Sequence, residues 1–225
     1  MSFPDFALQR CTQCKRCTEE CPFGTLNEDE KGTPEFFPLR CRRCGICMGA
    51  CPERIINFQD YSVLSVAEMI KAFEVPEDYE EKTRIIALMC ENDALPALDA
   101  AAAQRKQWNP WMRIIPVRCL GSVNLVWITE AISAGYDGAI LIGCKYGDDY
   151  QCHFIKGSEL ASVRGENIRE KLEKMALEEE RVEIHQIEIT ERSLTVMGSY
   201  ISNFTYPEAI RLLEEYHARW LDRRS

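Results

Sequence analysis

Cysteine is the residue whose spacing gives this 225-residue chain its most specific chemical signal. Eight of its twelve cysteines fall in two copies of the pattern C-x2-C-x2-C-x3-C-P, at residues 11–22 and 41–52. This is the bacterial ferredoxin pattern for [4Fe–4S] clusters, since three closely spaced thiolates reach three corners of a cubane. In two-cluster ferredoxins the fourth cysteine of each run serves the other cluster. The sequence therefore predicts one cluster held by Cys11, Cys14, Cys17 and Cys51, and a second held by Cys21, Cys41, Cys44 and Cys47.

Zinc binding and disulfide bonding are the two alternatives for these eight cysteines. Structural zinc sites usually come as two separated C-x2-C pairs, whereas each run here holds three cysteines and then a fourth before proline. Disulfides need an oxidising compartment. The N-terminal residues MSFPDF have neither the basic region nor the apolar core of a signal peptide. We therefore expect a cytoplasmic protein, associated with a membrane only through partner subunits.

The charge of the chain limits its partners. A formal net charge of −9 makes nucleic acid an unexpected partner. No window of about eighteen apolar residues is present, so direct membrane insertion is not expected. Basic residues nevertheless cluster among the predicted ligands, either as a solvated surface or as positive charge that favours the reduced clusters or docks an acidic partner. These residues are Arg10, Lys15, Arg16, Arg40, Arg42 and Arg43.

The second half of the chain predicts an α/β fold. Short apolar runs at residues 84–90, 112–119, 138–144 and 182–189 are typical of buried strands, although Pro116 indicates an edge strand or a bulge. Helical patterns separate them, one capped by Asp93, one at about 123–134 with Ser122 as its cap, and one at 158–177. The last pattern predicts an amphipathic helix whose apolar face carries Leu160, Val163, Ile168, Leu172 and Met175. This βαβαβαβ order predicts a parallel, doubly wound sheet.

The predicted domain organisation follows from these patterns. We expect a small two-[4Fe–4S] ferredoxin domain at residues 1–75, with a turn or hairpin at 23–40 that folds the second cysteine run onto the first. A short helical pattern starts at Ser65, with Val66, Met69, Ile70 and Phe73 as its apolar face. An acidic linker at 76–83 then leads to the α/β domain at 84–190. The extension at 191–225 contains an amphipathic helix at about 207–222 with Ile210, Leu213, Tyr216 and Trp220 on one side. This helix either packs on its own domain or docks a partner.

The remaining four cysteines predict a third site. Cys90, Cys119 and Cys144 each end a predicted strand, and Cys152 lies in the loop after the third strand. The carboxyl ends of parallel strands lie on one edge of the sheet, where open α/β folds bind ligands. Four thiolates suit a [2Fe–2S] cluster, while zinc and buried structural thiols remain open. The adjacent His153 is a candidate to hydrogen-bond a sulfur or to replace a ligand.

Several stretches carry a family resemblance. The sequences RCLGS at 118–122 and GCKYGDDYQCHFIKG at 143–157 resemble the delta subunit of methyl-viologen-reducing hydrogenase. With RCRRCGICMGACPER at 40–54 and CENDA at 90–94, the chain also resembles the C-terminal part of the B subunit of the quinone-interacting membrane-bound oxidoreductase. The resemblance implies a [2Fe–2S] cluster on the four strand-end cysteines. It also implies a heterodisulfide-reductase-like assembly that passes electrons to a flavin subunit. The small electron-transfer subunit of class II benzoyl-coenzyme A reductase complexes is an alternative setting.

Electron relay is the predicted function. The chain has neither G-x-G-x-x-G nor G-x-x-x-x-G-K-[ST], so no nucleotide-binding loop is predicted, and no catalytic residue is predicted either. Asp148 and Asp149, which follow Cys144, fit acid–base chemistry or a polar rim around the cluster. The alternatives are a stand-alone disulfide or thiol reductase that uses the sheet-edge cluster, and an interaction module stabilised by zinc in its second half.

Overall fold

The computed structural model describes residues 2–73, 84–103, 105, 107, 111–147, 152–187 and 201–224. The predicted linker at 76–83 and the predicted pair Asp148 and Asp149 lie outside these residues. No helix in the described ranges is long and apolar enough to cross a bilayer.

The N-terminal part repeats one local structure twice. In each copy a loop that carries three cysteines leads into a short helix, α1 (Arg16–Glu19) or α2 (Ile46–Ala50). The residue just before each helix is left-handed, with φ of 64° at Lys15 and 81° at Gly45. This conformation reverses the chain direction between the second and third cysteines of each run. The loop that carries the cysteines is therefore bent back on itself.

Two small antiparallel pairings hold the repeats together. Strands β2 (Leu26–Glu28) and β3 (Pro34–Phe36) form a hairpin between the two cysteine runs. Strands β1 (Asp5–Phe6) and β4 (Ile56–Asn57) pair the start of this part with its end. The predicted hairpin is therefore confirmed.

Helix α3 (Val63–Ala72) follows. Its start is fixed by a capping box between Ser62 and Ser65. Val66 and Ile70 are buried as predicted, but the prediction is wrong for Met69 and Phe73, which are 44% and 37% exposed. The buried stripe uses positions 63, 66, 67 and 70, and on a helix of 3.6 residues per turn that spacing turns Met69 and Phe73 away from the core.

The C-terminal part is built on a four-stranded parallel sheet, as predicted. Its strands are β5 (Ile85–Cys90), β6 (Met112–Val117), β7 (Gly138–Cys144) and β8 (Val182–Ile187), and their spatial order is β6-β5-β7-β8. Every residue of β5 and β7 is buried, which explains their continuous apolar sequences. Pro116 lies on the edge strand β6, where a missing backbone donor is tolerated.

Helices α4 (Ala94–Ala103), α5 (Leu125–Ser133) and α6 (Gly157–Lys174) connect these strands. The predicted cap of α5 is wrong. Asn124 caps this helix, with its Oδ1 accepting hydrogen bonds from the backbone N–H groups of Val126 and Trp127. Ser122 instead closes a short 3-10 turn, and its hydroxyl donates to the Cys119 carbonyl oxygen. An asparagine two residues further on offers a better placed acceptor for the first turn.

The buried face of α6 also differs from the prediction. Ile168 and Leu172 are buried as expected, but Val163 and Met175 are 47% and 52% exposed. Small residues take their place, because the helix lies close to β8. A Cβ atom at Gly165 would lie 2.1 Å from Cδ1 of Ile184.

Helix α7 (Ile201–Arg224) packs on α4 and over β7 and β8. It begins before Pro207, so the predicted start was too late. Tyr216 and Trp220 are buried as expected, and the Tyr216 hydroxyl donates to the Arg181 carbonyl oxygen at 2.9 Å. Of the two roles open from sequence, packing on its own domain is the one the structure shows for these side chains.

Replacing Tyr216 by alanine should therefore destabilise the protein. Removing a fully buried aromatic ring costs about 3–5 kcal/mol, which for this chain length corresponds to a fall of about 6–20 °C in the apparent Tm. Thermal unfolding of the anaerobic protein measures it. Glu214→Ala, an exposed change on the same helix, should leave the Tm nearly unchanged. Equal effects of the two changes would contradict a packing role for α7.

The two parts of the chain share one continuous apolar core. Hydrogen bonds also cross between them. The indole N–H of Trp127 donates to the Val63 carbonyl oxygen at 2.8 Å, and the backbone N–H of Arg118 donates to the Tyr61 hydroxyl at 3.2 Å. The closest approach is at Gly49 of α2, where a Cβ atom would lie 2.1 Å from the Ser122 carbonyl oxygen. The cysteine loops are thereby held against the sheet.

Candidate metal centres

The first group of thiols joins the first cysteine run to the end of the second. Cys11, Cys14, Cys17 and Cys51 line one small cavity. Burial, together with the smaller effects of negative charge on Cys51, Cys14 and Cys11, raises the pKa of Cys17 to about 11. The four cysteines of this group therefore line one cavity, and Cys17 lies within electrostatic reach of the other three.

The second group of thiols joins the second cysteine run to the end of the first. Cys21, Cys41, Cys44 and Cys47 line another cavity. Burial raises the pKa of Cys44 to about 11, and it raises the pKa of Cys47 well above its ordinary value. The charge on Cys17 contributes to the shift at Cys47. The first and second groups are therefore neighbours.

Backbone N–H groups point at several of these sulfurs. The N–H of Gln13 donates to Cys11 Sγ and that of Thr25 to Cys21 Sγ, both at 3.4 Å. The N–H of Asn92 donates in the same way to Cys90 Sγ, at 3.5 Å. Such donors stabilise negative charge on thiolate sulfur and tune the reduction potential of a cluster.

The third group lies at the carboxyl edge of the sheet. Cys90 and Cys144 end the adjacent strands β5 and β7, and their sulfurs are 3.6 Å apart. Cys119 lies two residues beyond the end of β6, and Cys152 precedes α6. Since β6 and β7 flank β5 on opposite sides, this is the switch point where such sheets bind ligands.

Gly157, the first residue of α6, brings two of these sulfurs together. A Cβ atom there would lie 2.4 Å from Cys119 Sγ and 2.8 Å from Cys152 Sγ. Only glycine leaves room for both sulfurs at this position. The positive end of the α6 dipole also faces them, which favours negative charge on the thiols. Sequence reasoning missed this role, although Gly157 closes the motif at 143–157.

The four thiols of the third group interact as one set. Hydrogen bonds from Cys119, then Cys144, lower the pKa of Cys152 to about 2. The same contacts raise the pKa of Cys119 and of Cys144 well above the ordinary value. Within the described ranges, no three His, Cys, Asp or Glu side chains are grouped as they would be around one metal ion. Four cysteines nevertheless line each of the three cavities. Cysteine thiolates are the usual ligands of iron–sulfur clusters, which spread them over several irons, so these linings fit iron–sulfur chemistry.

His153 faces a carboxyl group. Its side chain is 57% exposed, and its Nε2 lies 3.9 Å from Oδ1 of Asp93. Asp93 itself is 3% exposed, and burial raises the pKa of its carboxyl group while the nearby Cys144 thiol opposes the shift. The prediction that Asp93 caps α4 is wrong, because both of its carboxyl oxygens are buried without a hydrogen-bond partner among the described residues. Nothing in its sequence neighbours shows that the tertiary fold buries it beside the third group.

A small apolar cluster connects the second group to the third. Cys44 and Ile46 from the second cysteine run pack against Cys119 and Phe154. Phe23 adds an edge-to-face ring contact with Phe154, with centroids 6.5 Å apart. Packed side chains therefore bridge the two groups, and no local pattern in the sequence predicts this contact.

The first group of thiols is open to solvent at Cys14. Cys14 is the exposed cysteine among the twelve. The basic residues near it are also at the surface, and one of them, Lys15, pairs with Glu28 at 2.6 Å. Arg43, beside the second group, stacks over the Phe3 ring at 4.5 Å.

Comparison with known families agrees with this architecture. Residues 10–56 match the family of 4Fe-4S dicluster domains. The chain is thus an iron–sulfur electron-transfer protein that binds [4Fe–4S] centres. Residues 85–212, more than half of the chain, match the family described as methyl-viologen-reducing hydrogenase, delta subunit. The chain belongs to that family.

Individual relatives fall into two kinds. The chain is 32% identical over 211 residues to the A subunit of a ferredoxin/F420H2-dependent CoB-CoM heterodisulfide reductase of Methanosarcina acetivorans, and the match covers 92% of this chain and 24% of the relative. It is also 32% identical over 108 residues to the iron-sulfur D subunit of an F420-non-reducing hydrogenase of Archaeoglobus profundus, covering 48% of this chain and 77% of the relative. The chain therefore spans about a quarter of the length of the former.

Proposed function

We propose that the chain is an electron-relay subunit of a heterodisulfide-reductase-like, flavin-dependent oxidoreductase complex. In this role it carries electrons through two [4Fe–4S] clusters and one [2Fe–2S] cluster, between a redox partner and a flavin-containing subunit similar to heterodisulfide reductase A. The observation that carries the proposal is the presence of three four-cysteine groups, each adjacent to the next, in one continuous core. We place it in the cytoplasm, with contact to a membrane only through partners.

The ligand sets follow the three groups. Cys11, Cys14, Cys17 and Cys51 hold the first cubane, and Cys21, Cys41, Cys44 and Cys47 hold the second. At the third site, the 3.6 Å between the Cys90 and Cys144 sulfurs is close to the roughly 3.8 Å expected for two sulfurs on one tetrahedral metal with 2.3 Å bonds. Those two cysteines are assigned to one iron of a [2Fe–2S] cluster, and Cys119 and Cys152, beside Gly157, to the other.

The order of transfer follows from the contacts. Cys17 and Cys47 bring the first cubane beside the second, and the cluster of Cys44, Ile46, Cys119 and Phe154 brings the second beside the third site. Electron tunnelling slows steeply with distance, so the second cubane is the middle station. The exposed Cys14 marks one terminus, where the basic residues favour an acidic partner. The half-buried Cys152 marks the other.

The longer relatives support a setting in a heterodisulfide-reductase-like complex. The match to the A subunit of the heterodisulfide reductase covers nearly the whole of this chain but only a quarter of that protein. A similar stretch of sequence is thus part of a longer polypeptide in that relative.

Metal analysis of anaerobically prepared protein tests the cluster content. The proposal requires about ten irons per chain, whereas zinc at the third site gives about eight irons and one zinc. Cys119→Ala should remove the [2Fe–2S] electron paramagnetic resonance signal and leave both cubanes. It should also stop electron transfer to the proposed flavin-containing partner. Loss of the cubanes as well, or disulfide reduction by the isolated chain at a substantial rate, would contradict the relay.

A further inference from the structure

A cleft of about 710 Å³ lies at the seam between the ferredoxin part and the sheet part. One wall is formed by α1 and the loop after Cys51, and the other by the start of α5 and the exposed side of α6. Small-molecule sites in proteins typically measure about 300–1,000 Å³ and lie preferentially where two parts of a protein meet. This cleft has the size and the position of a ligand site, and among the described residues Cys51 is the one predicted ligand cysteine that lines both it and a thiol cavity.

The cleft concentrates positive charge on an acidic protein. Arg16, Arg54 and Lys171 line it, and none of the three forms an ion pair with any residue that the structure describes. Two carboxylates also line it, and one of them, Glu20, is neutralised by an ion pair with Arg164. The net charge of the lining is therefore positive, while the chain as a whole carries −9.

The wall of the cleft between these cations is apolar. Leu125, Val126, Leu160 and Val163 form an aliphatic surface, and Val163 is 47% exposed. Helix α5, nine residues long, begins at this wall, so the positive end of its dipole adds to the potential of the cations. A ligand that fits has an apolar face and two or three negative charges.

We propose that this cleft binds a nucleotide, with the ring on the aliphatic wall and the phosphates between Arg16, Arg54 and Lys171. The site is assembled from side chains on both sides of the seam and uses no glycine-rich phosphate loop. For that reason the lack of such a motif in the sequence does not argue against it. The binding is independent of the relay, although Cys51 at the border of the cleft would place a bound ring beside the first cubane.

Calorimetric titration of the anaerobic holoprotein with FMN, FAD and ADP tests the proposal and distinguishes flavin from adenine nucleotides. At least one of the three should bind with one-to-one stoichiometry, and binding should weaken as salt is raised. Arg54→Gln and Lys171→Gln should each weaken it about tenfold, which is about 1.4 kcal/mol. Val163→Glu, which puts a negative charge on the aliphatic wall, should weaken it at least as much.

Two matched controls separate the site from general attraction to positive charge. Lys174→Gln removes a cation from the same helix, one turn beyond the cleft, and Met69→Glu adds a carboxylate at a similarly exposed apolar residue of α3. Neither should change the affinity. Equal weakening by the control and the cleft variants, no binding of any probe at millimolar concentration, or binding of an acidic peptide in place of all three nucleotides would overturn the proposal.

Discussion

Gly157→Ala is expected to abolish the third cluster while both cubanes remain. The new Cβ would lie 2.4 Å from Cys119 Sγ and 2.8 Å from Cys152 Sγ, so the two sulfurs are driven off their positions. Iron content should fall from about ten to about eight per chain. Transfer to the proposed flavin-containing partner should fall to the background rate. Iron analysis and electron paramagnetic resonance of the anaerobic protein measure these changes.

Because the backbone of Gly157 is helical, this substitution tests only the crowding of the two sulfurs. The residue is part of α6, and alanine is favoured over glycine in a helix by about 1 kcal/mol. A loss of the cluster therefore reports the crowded sulfurs, with no contribution from strained backbone. Glu159→Ala, an exposed change in the same helical turn, should keep all the iron. A Gly157→Ala protein with ten irons would show that the third site lies elsewhere.

Gly49→Glu is expected to separate the cubanes from the third site. The Cβ position is 2.1 Å from the Ser122 carbonyl oxygen, a backbone atom that cannot rotate away. Both parts should keep their clusters, but α2 should lift off the turn at Leu120–Ser122. Overpacking of this kind costs about 1–3 kcal/mol or more. Magnetic coupling between the reduced second cubane and the third cluster should disappear, as should electron transfer between them.

The first cysteine run provides the matched control for this substitution. Glu19 occupies in α1 the position that Gly49 occupies in α2, because each lies two residues before the cysteine that ends its run. Glu19→Gly should leave the magnetic coupling intact, because α1 does not carry the contact with Ser122. If Gly49→Glu also leaves the coupling intact, the seam is not the route of electron transfer.

The sequence shows that the helices of the two repeats differ in polarity, but it does not show what the second helix packs against. The first helix has the sequence RCTE and the second ICMGA. Polar residues suit a surface helix, and the glycine and apolar residues of the second indicate burial. What buries α2 could not be predicted, since its contact at Ser122 comes from a residue more than seventy positions away.

In the second part of the chain the strands could be predicted from the sequence, but the buried face of a helix could not. The four strands were predicted correctly because β5 and β7 are apolar throughout and their burial is uniform. The face of α6 was predicted incorrectly at Val163 and Met175. Hydrophobicity alone selects large apolar side chains, whereas the close approach of α6 to Ile184 requires small ones such as Gly165.

The sequence by itself determined the kind of chemistry. Cysteine spacing in the two runs indicates cubane clusters, because that pattern is local in the sequence. The parallel direction of the strands places distant cysteines on one edge of the sheet, because all strands of such a sheet end there. Only the tertiary structure decided how near the three thiol groups lie, which glycines admit the sulfurs and the second helix, and that a charged cleft opens at the seam. Those features arise from side chains far apart in the chain that meet by packing, and no period or motif in the sequence records such meetings.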